Sequence, residues 1–141
     1  MNRYTQLKRK LLGLSSVIMM IAWMGCSSPT RLASSHDVPA AKGTVKTEVS
    51  ENGNTRVDLE VKHLANPRNI SAQANTFVVW AAPRTGESPQ NLGALRVDEN
   101  LRGTIETTTP LRNFQLFVTA ESSPNVDSPS GDKLLWTDVM G

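Results

Sequence analysis

The chain has 141 residues and a formal net charge of +2, with a single cysteine and two histidines. Four basic residues lie within the first ten positions, and the part from residue 26 onward has 11 Lys and Arg against 13 Asp and Glu. The net charge of that part is therefore about −2, and because it shows no basic, aromatic-interleaved face, nucleic acid is excluded as a partner.

The first 25 residues have the pattern of a secretory signal peptide. Basic residues precede an apolar segment from Leu11 to Met24, which is interrupted only by Gly13, Ser15 and Ser16. A membrane-spanning helix needs roughly 20 predominantly apolar residues, and this segment is shorter. A basic start, a short apolar segment and small residues after it are typical of an export signal. We therefore expect residues 1–25 to be removed and the remainder to be exported.

The only cysteine, Cys26, follows this segment in the run Trp23-Met24-Gly25-Cys26-Ser27. The run resembles the bacterial lipobox, in which a small residue precedes the cysteine that receives diacylglycerol, although leucine is usual at the place of Trp23. The resemblance implies a lipoprotein signal peptide, a lipid on Cys26 and a membrane-anchored protein on the periplasmic or outer-membrane face. A lone cysteine cannot form an internal disulfide. The alternative is a free thiol at the end of an ordinary signal peptide.

Two segments follow the cysteine. Residues 26–42 are small, polar and proline-bearing without periodicity, which predicts a flexible tether between a lipid and a folded body. Residues 43–141 are enough for one compact domain.

The first part of this domain alternates between apolar and polar residues. Val45, Thr47 and Val49 share one parity, and so do Val57, Leu59 and Val61 after the turn dipeptide Asn52-Gly53. Strict alternation on both sides of Asn-Gly predicts an antiparallel hairpin with one buried face.

Further strands are predicted along the rest of the chain. Residues 77–82 are apolar on both parities, which favours a central strand covered on both faces. Alternation returns around Leu95, Val97 and Ile105, then from Phe114 to Ala120, and the last strand has Leu135 or Trp136 as its packing anchor. About seven short strands without a convincing helix predict an all-β fold, an immunoglobulin-like antiparallel β-sandwich.

Four short motifs occur in this β region. They are Val79-Trp80, Leu92-Gly93, Val118-Thr119-Ala120-Glu121 and Pro129-Ser130-Gly131. In order and spacing, residues 74–139 resemble the C-terminal, extracytoplasmic domain of anti-sigma-K factors. The resemblance implies a β-sandwich and a relation to stress sensing. The helical domain with which anti-sigma factors bind a sigma factor has no counterpart in this sequence, so direct anti-sigma activity is not expected.

The sequence favours a protein without catalytic residues, metal or cofactor. Of the two histidines, His36 lies in the predicted tether, and His63 shares parity with buried strand residues and is expected at the rim of the core. Asp127 and Asp132 bracket a turn but lack the further ligands of a calcium loop. Glu106 and Glu121 are candidates for a carboxylate pair, but the sequence does not give the strand register that would place them together, and acids on strand exteriors normally face solvent. Trp80 is expected to lie in the core.

Binding residues are expected in the polar loops at residues 83–91 and 123–133 and on the last strand. The candidates for ligand binding are Trp136, Arg84 and Asp127, since loops and exposed aromatic rings collect binding contacts. An exposed edge strand offers a further route, by pairing with a partner strand. The preferred hypothesis is a lipoprotein that binds an envelope protein or a wall component. The alternatives are a structural lipoprotein without a ligand and an unrecognised hydrolase.

Overall fold

In the computed structural model, which describes residues 28–141, ten strands and one short helix follow one another. They are β1 (Thr30–Arg31), β2 (Ala33–Ser34), β3 (Lys42–Val49), β4 (Thr55–Lys62), α1 (Pro67–Ile70), β5 (Thr76–Pro83), β6 (Gln90–Ala94), β7 (Arg96–Val97), β8 (Gly103–Thr109), β9 (Phe114–Glu121) and β10 (Leu135–Val139). Antiparallel pairing arranges the strands in two sheets, sheet A in the order β1-β3-β4-β8-β7 and sheet B in the order β2-β10-β9-β5-β6. The predicted antiparallel β-sandwich is confirmed.

Seven of these strands have five or more residues, and the other three have two residues each. The first, second and fifth long strands lie in sheet A, and the third, fourth, sixth and seventh lie in sheet B. Three long strands in one sheet and four in the other is the immunoglobulin-like distribution. The fourth long strand, β6, pairs with the third, β5. No helix in residues 28–141 is long and apolar enough to cross a membrane.

The predicted hairpin is present as β3 and β4, which pair from Lys42 opposite Lys62 to Val49 opposite Thr55. Gly53 adopts a positive φ of 84° in the connecting turn, a conformation that glycine adopts without steric cost. Val45 is buried as predicted, but Val49 is 42% exposed. Its partner across the hairpin, Thr55, is 1% exposed. Since β1 pairs with β3 only at Thr44 and Val45, Val49 lies on the open edge of sheet A.

Sheet B is covered on both faces at its centre, as the apolar run at residues 77–82 predicts. Phe77, Val79 and Ala81 of β5 point into the core between the sheets, together with Leu116 and Val118 of β9. Three residues of the alternate parity, Val78 and Trp80 of β5 and Phe117 of β9, are also buried, but in a second cluster on the other side of sheet B.

The structure differs from the predicted tether over residues 30–41. Thr30 pairs with Val45 at the edge of sheet A, and Ala33 pairs with Trp136 at the edge of sheet B. Leu32, between them, is only 9% exposed and donates its backbone N–H to the carbonyl oxygen of Gly43 at 2.9 Å. The sandwich therefore begins at residue 30 rather than 43, and this segment joins the edges of the two sheets.

We expect Leu32→Ala to lower the free energy of unfolding by about 2 kcal/mol, because it removes buried methyl groups and leaves a cavity. Urea unfolding followed by circular dichroism measures the change. Thr30→Ala, an exposed position in the same segment, serves as the matched control and should change stability little. Equal stability of the two variants would mean that residues 30–41 are not part of the cooperative fold.

Candidate functional site

The outer face of sheet B, the face turned away from sheet A, carries a small hydrophobic cluster. This outer cluster consists of Val78, Trp80 and Phe117, each no more than 2% exposed. The rings of Trp80 and Phe117 stack with centroids 6.4 Å apart and an interplanar angle of 17°. Trp80 is thus buried as predicted, but outside the space between the sheets.

A buried carboxylate beside this cluster organises the connection between β9 and β10. Trp80 donates its indole N–H to the Thr119 hydroxyl at 2.9 Å, and that hydroxyl donates to Oε1 of Glu121 at 2.6 Å. The backbone N–H of Ser130 reaches the same oxygen at 2.9 Å, that of Gly131 reaches it at 3.4 Å, and the Ser130 hydroxyl donates to Oε2. Glu121 is fully buried, which corrects the expectation that it faces solvent.

These contacts hold the segment 122–134 against the outer face of sheet B. The Asn91 side-chain amide, on β6, donates to the carbonyl oxygens of Pro124 and Val126 at 3.0 and 2.9 Å. At the other end, a Cβ on Gly131 would lie 2.9 Å from the Ala120 carbonyl oxygen, so only glycine fits there. The segment therefore covers part of sheet B as a fixed layer.

The hydrogen bonds also set the ionisation of the carboxylate. Burial alone raises the pKa of Glu121, but the hydrogen bonds from Ser130, Thr119 and the backbone of Gly131 outweigh it. The pKa of Glu121 is therefore below its ordinary value, and the side chain is a carboxylate at neutral pH.

A part of the outer face remains beside this covering segment, at β10 and the end of β5. Trp136 is half-buried there and packs against the outer cluster. Lys133, near the end of the covering segment, reaches this area and places its Nζ 4.7 Å from the ring centroid of Phe117. Arg84, just beyond β5, makes an ion pair of 3.2 Å with Asp138, which lies two residues after Trp136 on the same face. We call the surface formed by Trp136, Lys133, Arg84 and Asp138 the Trp136 patch.

The structure brings two of the three predicted ligand residues to this patch. Trp136 and Arg84 both lie on the outer face of sheet B, whereas Asp127 is an exposed residue of the covering segment. Within residues 28–141, no three His, Cys, Asp or Glu side chains form a group that could hold a metal ion. Cys26, the predicted lipid site, lies outside the described residues.

The remaining candidates lie apart from the patch. His63 is exposed with a positive φ of 58°, immediately after β4, rather than packed at the rim of the core. Glu106 is exposed in sheet A and pairs with Arg56, so it does not meet Glu121.

No family model and no curated protein matches this chain. The resemblance to the anti-sigma-K domain therefore stays a prediction. Several of its positions, including Trp80, Thr119, Glu121 and Ser130, belong to the hydrogen-bond chain described above. These hydrogen bonds were not predicted from the sequence. Phe117 was the available signal, because an aromatic residue on the outer parity of β9 indicates that a second layer covers that face.

We expect Glu121→Gln to lower the free energy of unfolding by about 2 kcal/mol near neutral pH, because it removes the charge that accepts these hydrogen bonds. The folded-state pKa of Glu121 is lowered, so the carboxylate stabilises the fold above its ordinary pKa of 4.5, which also describes the unfolded chain. That contribution disappears as the pH falls through the folded pKa. Wild type and variant should therefore converge in acid.

Urea unfolding across this pH range measures both effects. Glu106→Gln removes an exposed carboxylate from a surface ion pair and should change stability by less than about 1 kcal/mol. A constant difference between wild type and Glu121→Gln at every pH would contradict the ionisation argument.

Proposed function

We propose that the protein is an exported, non-catalytic lipoprotein whose sandwich binds an envelope protein or a wall component. The lipid on Cys26 holds it to a membrane, and the Trp136 patch provides the binding surface. The resemblance to the extracytoplasmic anti-sigma-K domain supports a role in envelope stress sensing.

The observation that carries the binding proposal is the half-buried ring of Trp136 on a rigid surface. Its inner edge packs against the outer cluster, and its strand is hydrogen-bonded on both sides, to β9 and β2. A ring held in this way offers apolar area to a ligand without losing much conformational freedom.

The polar groups around the ring suit a protein or saccharide ligand. Arg84 and Asp138 have side chains that are 46% and 55% exposed, so both can exchange their mutual ion pair for contacts with a ligand. Tryptophan and arginine are the residue types most enriched among the energetically dominant positions of interfaces. The patch combines both on one face.

The anchoring part of the proposal predicts a diacylglyceryl group on Cys26. The N-terminal peptide of protein extracted from membranes should carry that mass, and Cys26→Ser should abolish both the mass and the membrane fractionation. An unmodified N-terminus in a soluble protein would refute anchoring, while leaving the Trp136 patch open to separate testing.

The binding part predicts that Trp136→Ala weakens binding by at least about 30-fold, as expected when a dominant contact is truncated. The probes are purified cell-wall sacculi, assayed by co-sedimentation, and detergent-solubilised envelope proteins, assayed by pull-down. Trp136→Phe keeps an aromatic ring on the outer cluster and should retain part of the binding.

Val97→Ala is the control, because it truncates an exposed apolar residue of sheet A, 42% exposed, far from the patch. Thermal unfolding verifies that each variant is folded. If folded Trp136→Ala binds both probes as well as Val97→Ala does, the Trp136 patch is not the binding surface.

A further inference from the structure

The outer face of sheet A carries more positive charge than the rest of the chain after Cys26. Residues that pair across β1, β3, β4, β8 and β7 place alternate side chains on this face. Its basic side chains are Arg31, Lys42, Lys46, Arg56, Lys62 and Arg96, together with Arg102, which pairs with Glu60; its acidic ones are Glu48, Asp58, Glu60 and Glu106. The face is net positive, although the chain from Cys26 onward is net negative.

The chain approaches Cys26 from this same face. Pro29 lines a groove of about 370 Å³ there, together with Thr44, Lys46 and Asp58. Three residue steps separate Pro29 from Cys26, and an extended chain covers at most about 11 Å in three steps. A lipid on Cys26 is thus held close to the outer face of sheet A.

The short connection between Cys26 and β1 limits how far the sandwich can lie from a membrane that holds the lipid. A tether of residues 26–42 would let the sandwich move several tens of ångströms away from the bilayer at ~3.3 Å per residue. Because β1 already pairs with β3 at Thr30, that freedom is absent. With a lipid on Cys26, the sandwich would therefore lie at the membrane surface.

We propose that the outer face of sheet A docks on the anionic lipid headgroups of the bilayer that holds the Cys26 lipid. This inference rests on the proposed lipid anchor. Basic residues near an anionic leaflet are attracted to it within about one Debye length, and the short connection keeps this face inside that range. Docking leaves the Trp136 patch, on the opposite sheet, directed away from the membrane.

A pair of single-label proteins tests which face meets the bilayer. The lipid blocks the native thiol, so Thr104→Cys labels the outer face of sheet A and Asn125→Cys labels the segment covering sheet B; both positions are exposed. Full-length lipidated protein is reconstituted in vesicles of phosphatidylcholine, with or without phosphatidylglycerol, that contain a headgroup-attached quencher. The label at residue 104 should be quenched more strongly than the label at 125, and more strongly in the anionic vesicles.

Charge variants separate docking from simple anchoring. Lys42→Gln with Lys46→Gln should lower the ratio of docked to undocked protein by about tenfold or more. The matched control, Arg68→Gln with Arg112→Gln, removes the same charge from exposed positions outside this face and should leave quenching unchanged.

Each outcome decides one part of the inference. Equal quenching at residues 104 and 125, or quenching that the lysine variant does not reduce, overturns docking while the anchor stands. If the mass spectrum of the same sample shows no lipid on Cys26, the anchor is overturned, and docking that depends on this anchor is overturned with it.

Discussion

The buried carboxylate of Glu121 is the constraint on which the arrangement of sheet B depends. A buried charge is stable only when its lone pairs are satisfied, and here the partners include Ser130 and its neighbouring backbone. Meeting that requirement draws the segment 122–134 across the outer face of sheet B. The segment buries Trp80 and Phe117, and it leaves Trp136 beside it half-exposed.

The two outer faces of the sandwich consequently differ. Sheet B has a second hydrophobic layer and a fixed cover, whereas sheet A presents a bare, mostly charged surface with grooves between its side chains. The chain enters the fold beside that charged surface. In the proposed arrangement one face serves the membrane and the other serves a ligand, and neither role interferes with the other.

The residues that carry the resemblance to the anti-sigma-K domain have structural roles in this protein. Thr119 and Glu121 connect Trp80 to the covering segment, and Gly131 permits the close approach to the Ala120 carbonyl. These positions stabilise the sandwich of this protein. In the proposed function, the choice of partner depends instead on exposed residues such as Arg84.

The sequence by itself determined the strands whose apolar and polar residues alternate. The pleat of a strand directs successive side chains to opposite faces, so this alternation can be read directly from the order of the residues. The hairpin around Gly53 and the doubly covered strand around Val79 follow from it. Tertiary structure alone decided the place of Leu32, which is too isolated in sequence to form a pattern, and the burial of Glu121. Its partner Ser130 lies nine residues away, and only the fold shows that the two meet.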